Sequence, residues 1–197
     1  MTDALAEGTH VPTLPEIPHD TEPRPARGSL DFQAVFVHEA SFVWNSLRRL
    51  GVPAADVDDA LHDVFVAVYR NRSTYDVSRS LRGWLFGFAH KIAANQRRTI
   101  RRRRESPEDQ VEPASTAPLQ DELLRERDKQ RVFLELLDAL PLERRAVLVL
   151  HDVEGEAMAD VAAALGIPAN TAYSRLRVAR EELMAAAARM RAKRGEL

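Results

Sequence analysis

Apolar residues recur along most of this chain at spacings of three and four, the period of one face of an α-helix. Phe32, Val35, Phe36, Val43, Leu47 and Leu50 mark a first helix, ended by Gly51 with Pro53 beyond. Val57, Leu61, Val64, Phe65 and Val68 mark a second. Small polar residues break the pattern over 71–80 (NRSTYDVSRS), which reads as a loop. Leu81, Trp84, Leu85, Phe88 and Ile92 then start a third helix that runs into Arg97, Arg98 and the arginines at 101–104. Further on, Phe133, Leu136, Leu137 and Leu140 give a helix stopped by Pro141, and Ala146, Val147 and Leu150 give another. Met158, Val161, Ala162 and Leu165 form a short helix that Gly166 stops, as a residue tolerant of positive φ should. Pro168 suits the first turn of a last helix, in which Ala172, Leu176, Ala179 and Leu183 line one face. No run alternates with the period of two that a half-buried strand requires. The expected fold is all-α.

Composition divides the pattern into two units. Residues 1–29 carry Pro12, Pro15, Pro18, Pro23 and Pro25 with no hydrophobic period, so they predict a disordered tail, and His10 and His19 within it are poor metal ligands. Residues 30–104 form a first helical domain. Residues 105–122, rich in Pro, Ser and acids, predict a flexible linker. Residues 123–192 form a second, four-helix module, and 193–197 a short C-terminal tail. Hydrophobic residues at 45% supply cores for two small domains, and 29% charged residues suit a soluble chain. There is no cysteine, hence no disulfide and no thiolate site. No apolar run reaches the ~18 residues of a membrane span and the start lacks a signal pattern, which predicts a cytoplasmic protein without membrane insertion. A net charge of −2 means that any nucleic-acid surface must be a local patch.

Chemistry is hard to find. The histidines are dispersed, with no HExxH, no phosphate-binding glycine loop and no GxSxG. The crowded aspartates near 56–63 lack the alternating ligands, central Gly and terminal Glu of a calcium loop. The expectation is a protein with no catalytic residue, no metal and no cofactor. What stands out instead is charge patterning. Asp56, Asp59 and Asp63 share a helix face with Asp58 and His62 beside them; the helix dipole accounts for the early aspartates but not for Asp63, whereas a docking face for a basic partner accounts for all. Lys91, Asn95, Arg98 and Arg102 align on the third helix, with His90, Arg97, Arg101 and Arg104 in the next row, a surface suited to phosphates. The loop before it offers Asn71, Arg72, Ser73, Tyr75, Asp76, Ser78 and Arg79, groups that can stack on and hydrogen-bond an unstacked base. The two short helices around Gly166 form a helix-turn-helix whose outer face carries Asn170, Thr171, Ser174, Arg175 and Arg177.

In this order the segments resemble the extracytoplasmic-function (ECF) sigma factors, promoter-recognition subunits of bacterial RNA polymerase. VDDALHDVFVAVYRN resembles the family's polymerase-docking helix, TYDVSRSLRGWLFGFAHKIAANQRRTIRRRR the loop and helix that read the −10 element, and LPLERRAVLVLHDVEGEAMADVAAALGIPANTAYSRLRVAREEL the −35-reading domain. The resemblance implies that Asp56, Asp59, His62 and Asp63 contact core polymerase, at its β′ clamp and β subunits. It implies that Asn71, Tyr75, Asp76, Ser78, Arg82, Lys91, Asn95 and Arg98 meet −10 DNA, duplex and melted non-template strand. It puts Asn170, Thr171, Ser174, Arg175, Arg177 and Arg180 at the −35 groove and backbone, and it allows an anti-sigma protein as a further partner. Departures are local: His62 replaces the usual Gln, Val77 the usual Pro, and Ala172 and Tyr173 interrupt the usual Gly-Thr-Val-Lys-Ser-Arg run. Gly83 and Gly87, spaced by four, suit either close helix contact or bending. The rival expectations are a stand-alone helix-turn-helix regulator, whose design has no need of the acidic helix and polar loop, and an interaction-only adaptor.

Overall fold

The computed structural model describes residues 31–104 and 121–195, and among them every regular element is helical. The predicted tail at 1–29 and nearly all of the predicted linker lie outside the described residues. Helix α1 (Phe32–Arg49) begins where the Asp31 carboxylate accepts the Ala34 N–H at 3.1 Å, and it ends before Gly51 at φ 92°. A 3₁₀ turn (Ala54–Asp56) leads into α2 (Val57–Arg70), and a second (Arg72–Thr74) opens the polar loop before α3 (Leu81–Arg104). Val43, Leu47, Val57, Val64, Val68, Leu85, Phe86, Ala89 and Ala93 close the core between these three helices. Fully burying a Leu or Phe here is worth about 1.5–3 kcal/mol.

The second unit starts with α4 (Asp121–Asp138), two residues inside the predicted linker, and turns at Pro141 into α5 (Leu142–Leu148). The α5 backbone widens into a π turn at Val149–Val153, where Glu154 N–H reaches back to the Val149 carbonyl at 3.0 Å. Helix α6 (Met158–Leu165) ends at Gly166 with φ 64°, as its sequence requires, and α7 (Ala169–Arg194) follows, two residues beyond the predicted end of the domain. Ala172, Leu176 and Ala179 are buried under α5 and α6, which confirms the stripe read from the last helix.

The units are in contact. Helix α6 lies along α3, α4 touches α1, and one continuous apolar core runs through both. The apolar stripe of α3 therefore differs from its sequence reading: Leu85, Phe86, Ala89 and Ala93 are buried, while Trp84, Phe88 and Ile92 are only partly so. The helix packs on two sides rather than one, and small residues make the second side. Gly83 and Gly87 each weaken a helix by about 0.5–1 kcal/mol relative to Ala. At Gly87 close approach explains the choice, since a Cβ there would stand 2.8 Å from the Ala164 carbonyl oxygen. Arg49 of α1 pairs with Glu154 beyond α5. Arg145 of α5 is fully buried at this junction, donating to Asp138 at 2.7 Å and to the Leu140 carbonyl at 3.2 Å while its Nε has no partner.

Candidate polymerase and promoter interfaces

Three surfaces carry the residues singled out by sequence. The first is the outer face of α2. Asp59, His62 and Asp63 are exposed there, and Asp56 stands exposed in the 3₁₀ turn just before the helix. Asp58 accepts a hydrogen bond from the Trp44 indole at 3.0 Å, so it is tied to α1 while its neighbours stay open to a partner. The opposite side of α2 buries Val57, Ala60, Val64 and Phe65, which holds the acidic row outward as a rigid strip.

The second surface is the loop at 71–80 with the start of α3. Several of its polar groups are held by the loop itself or by the end of α2. Asn71 Nδ2 donates to the Ala67 carbonyl at 2.8 Å, and Thr74 Oγ1 donates to the Asn71 carbonyl at 2.8 Å. One Asp76 oxygen accepts both the Ser78 N–H at 2.9 Å and the Ser78 hydroxyl at 2.7 Å, an Asx-type turn whose bonds hold the carboxyl below its ordinary range. Tyr75 donates to the Arg79 carbonyl at 3.0 Å, and partial burial, with the Asp76 charge second, pushes its phenol up. The Tyr75 ring leans on Trp84 at 5.1 Å between centroids, and Trp84 meets Phe88 edge-on at 5.0 Å. The result is an aromatic ladder climbing from the loop onto α3. Trp84 was read from sequence as a core residue and does pack against the core, but it is only partly buried; on this ladder it is also a candidate site residue that sequence missed, its one signal being a Trp a turn inside the helix after a polar loop.

The remaining residues of that surface divide. Asn95 and Arg98 are exposed and touch each other at 3.3 Å, and Lys91 is exposed with its ammonium 5.8 Å from the Phe88 ring centre. Arg82 is exposed but tied to α1, bonded to Glu39 at 2.9 Å and with its guanidinium 5.1 Å from the Phe42 ring centre. Arg97 turns toward the junction, near enough to Arg145 for its charge to help burial disfavour that guanidinium's charge. Thr74, Tyr75, Asp76, Arg79, Gly83 and Trp84 line a 290 Å³ cavity, and its other wall is Asp160, Ala163 and Ala164 of α6.

The third surface is the start of α7. Asn170, Ser174 and Arg177 are exposed, and Thr171 and Arg175 are partly covered. Arg177 pairs with Glu181 one turn on at 2.7 Å. Arg180 forms a two-pronged pair with Asp152 at 2.8 and 2.6 Å, which ties α7 to the end of the π turn. Tyr173 stands exposed between them. The arrangement has the proportions of a major-groove reader: a short supporting helix, a left-handed glycine turn, and a second helix with a polar outer face.

Comparison with known proteins agrees with this geometry. Residues 35–104 match Sigma-70 region 2, and residues 130–183 match Sigma-70, region 4. The chain is 30% identical over 146 residues to the RNA polymerase sigma factor NccH of Alcaligenes xylosoxydans xylosoxydans, covering 70% of this chain and 76% of NccH. It is 30% identical over 150 residues to the ECF RNA polymerase sigma factor SigE of Mycolicibacterium smegmatis, covering 73% of this chain but 56% of SigE. In fold it is similar to the sigma factor RpoE of Bartonella quintana, solved with the anti-sigma factor NepR, at TM-score 0.64 and 22% identity over 79% of this chain and 96% of that one. It is also similar to CnrH, solved with the cytosolic domain of CnrY, at TM-score 0.58 and 23% identity over 78% and 85% of the two chains. With both regions matched in the order in which the structure lays out its loop-and-helix reader and its helix-turn-helix, the chain belongs to the sigma-70 family, among the ECF RNA polymerase sigma factors.

Proposed function

We propose that this sigma factor works as a promoter grip with three separately built contacts. The acidic strip of α2 (Asp56, Asp59, His62 and Asp63) docks on a basic surface of core polymerase. The face of α7 bearing Asn170, Thr171, Ser174, Arg175 and Arg177 enters the −35 major groove. The loop and aromatic ladder hold a base flipped out of the −10 duplex, with Asn71, Asp76 and Ser78 at its polar edge and Tyr75 and Trp84 against its face. Lys91, Asn95 and Arg98 follow the adjoining backbone. The chain contributes binding energy rather than bond chemistry: capture has to offset unstacking of a few kcal/mol, and stacking returns about 1–3 kcal/mol per base. Single-base capture therefore roughly balances the cost, and polymerase contacts tip it toward melting.

The observation that carries this assignment is the ladder Tyr75–Trp84–Phe88 beside a turn whose carboxylate and hydroxyl are already fixed. A stand-alone duplex reader has no use for it. The likeness to RpoE, solved in complex with the anti-sigma factor NepR, and to CnrH, solved with the cytosolic domain of CnrY, supports an anti-sigma partner for this chain as well, and its place of work is the cytoplasm, with the polymerase. The test is transcription in vitro. Core polymerase with this chain is expected to start at a defined promoter and core alone is not; equal, non-specific initiation by both refutes the function. For docking, Asp63→Arg should abolish co-purification with core while the circular-dichroism melt is unchanged. Normal co-purification removes α2 from the interface.

A further inference from the structure

We propose that Asn170 and Tyr173 together set the base preference of the −35 contact: Asn170 reads an adenine, and Tyr173 reads the methyl group of a thymine in the neighbouring base pair. The proposal rests on the start of α7 being the −35 reader, and it adds Tyr173, a residue which that assignment leaves out. Asn170, Tyr173, Ser174 and Arg177 follow one another at i, i+3, i+4 and i+7, so they form one exposed stripe. It lies across the helix from the buried stripe of Ala172, Leu176 and Ala179. The arginines at its far end are engaged, Arg177 with Glu181 at 2.7 Å and Arg180 with both oxygens of Asp152. Among the described residues nothing hydrogen-bonds the side chains of Asn170, Tyr173 or Ser174. The free chemistry of the stripe is therefore neutral: an amide, a hydroxyl and a phenol ring.

Tyr173 is 59% exposed although its ring is large and apolar. Lys or Arg at this position would favour the helix more and would leave no bare ring in water, so the free chain gains nothing from the choice. A bound duplex supplies the gain. In the major groove only thymine presents a methyl group, and apolar side chains meet it favourably. The Tyr ring offers that apolar surface on a side chain with only two torsions to fix. An Asn amide matches the N6 donor and N7 acceptor of adenine with its own acceptor and donor, whereas Arg or Lys selects the paired acceptors of guanine. Register supports the pairing. Recognition-helix residues three apart contact successive bases in helical readers, and three residues advance a helix by about 4.5 Å against ~3.4 Å per base pair. Asn170 and Tyr173 thus meet neighbouring base pairs in one tilted pass along the groove, and the step they read is made of A·T pairs.

Replacing thymine by uracil removes the methyl group and no hydrogen-bonding group, which isolates the Tyr173 contact. Holoenzyme assembled from core polymerase and the full chain is used to select promoter fragments from a library randomised over the −35 element. The selected promoter is then remade with each −35 thymine in turn, on either strand, replaced by uracil. One replacement should weaken binding about fourfold, the worth of one buried methyl. The loss should persist in Tyr173→Phe, which keeps the ring, and vanish in Tyr173→Ala. Asn170→Ala should relax the preference for adenine at the adjacent pair by roughly 5- to 150-fold. The uracil comparison is made on the wild-type chain, so it does not depend on any variant folding. A selected element without an adenine next to a thymine overturns the pairing. Indifference to uracil at every position overturns the Tyr173 contact, as does a uracil effect that survives Tyr173→Ala. Adenine preference unchanged in Asn170→Ala overturns the Asn170 contact. A wild-type holoenzyme that initiates but selects no −35 sequence at all fails the placement of α7 in the groove, and this proposal with it.

Discussion

The two helices that the proposed function assigns to DNA, α3 and α7, are similar in length and opposite in construction. Helix α7 is buried along one stripe, Ala172, Leu176 and Ala179, and leaves its first turns free to present side chains to a groove. Helix α3 is buried along two sides, and its reading groups sit at and before its N-terminus in a loop held by several of its own hydrogen bonds. A duplex groove offers its donors and acceptors without being deformed, so a reader of duplex needs only exposed partners on a rigid rod. A flipped base arrives with its stacking and pairing lost, so its reader must offer a preformed surface that replaces both. The contrast teaches that the surface proposed for the −10 element is preorganised by its own hydrogen bonds and rings, and the surface proposed for the −35 element is not.

The sharpest way to break that contrast is Tyr75→Ala. Losing the first rung of the ladder should cost about 1–3 kcal/mol of captured-base stacking, or roughly 5- to 150-fold in promoter opening followed by permanganate reactivity. Binding of a −35 duplex should not change. Equal loss in both assays would mean that Tyr75 only supports the fold. The counterpart on α7 is Arg175→Ala. A bidentate base contact there is worth about 1–3 kcal/mol of discrimination at one position, so a panel of single-base −35 variants should flatten at that position while opening of a pre-melted template is unaffected. An unchanged preference assigns Arg175 to the backbone.

How much of this was legible in the sequence depends on how many neighbours each element has. Helices α1, α2, α6 and α7 could be read from their apolar period because each buries one face: Val43 and Leu47, Val64 and Val68, Met158 and Val161, Leu176 and Ala179 fall where the stripes predicted. Helix α3 was legible from its period as well, but its second buried side was not, because that side packs through Gly83 and Gly87, which carry no hydrophobic signal and only a spacing of four to hint at close contact. Composition located the separation between two domains and could not show that they touch. Arg145 was equally hidden. It reads as a charge in an apolar run, and its partner Asp138 lies on the previous helix, across the Pro141 turn. Among the site residues, spacing brought the exposed members together on faces, but not the commitments of Arg82 to Glu39 and of Arg180 to Asp152, which only folding makes.

Those commitments sharpen the comparison on a smaller scale. A Lys or Arg that neutralises one phosphate contributes about 1 to the slope of log affinity against log salt. Arg177, exposed and paired only along its own helix, should contribute that in full, so Arg177→Ala lowers the slope by about 1. Arg180 is held by both oxygens of Asp152, and the same hydrogen bonds keep that carboxyl below its ordinary range. Arg180→Ala should change the slope by clearly less, and Asp152→Asn should release Arg180 and steepen it. Equal slopes for the two arginine variants would show that the pair opens on DNA at no cost.

The smallest expected effect concerns His90, on the second buried side of α3. Burial lowers the pKa of its imidazole. Arg175 of α7 and Lys91 beside it push the same way, while Glu143 of α5 opposes them. A folded pKa below the unfolded value near 6.5 means that the neutral ring is the one the packed state accepts. Stability from this group is thus complete above about pH 6.5 and is lost as pH falls from there through the depressed folded value. The melting temperature should accordingly fall between pH 7 and pH 5 more in the wild type than in His90→Gln, which cannot take up the proton. Because the charges around His90 come from both units, the same acidification should enlarge the radius of gyration before it unfolds either one. If the melting temperature falls with no such expansion, the ring is sensed within the first unit alone, and α3 would have one functional side rather than two.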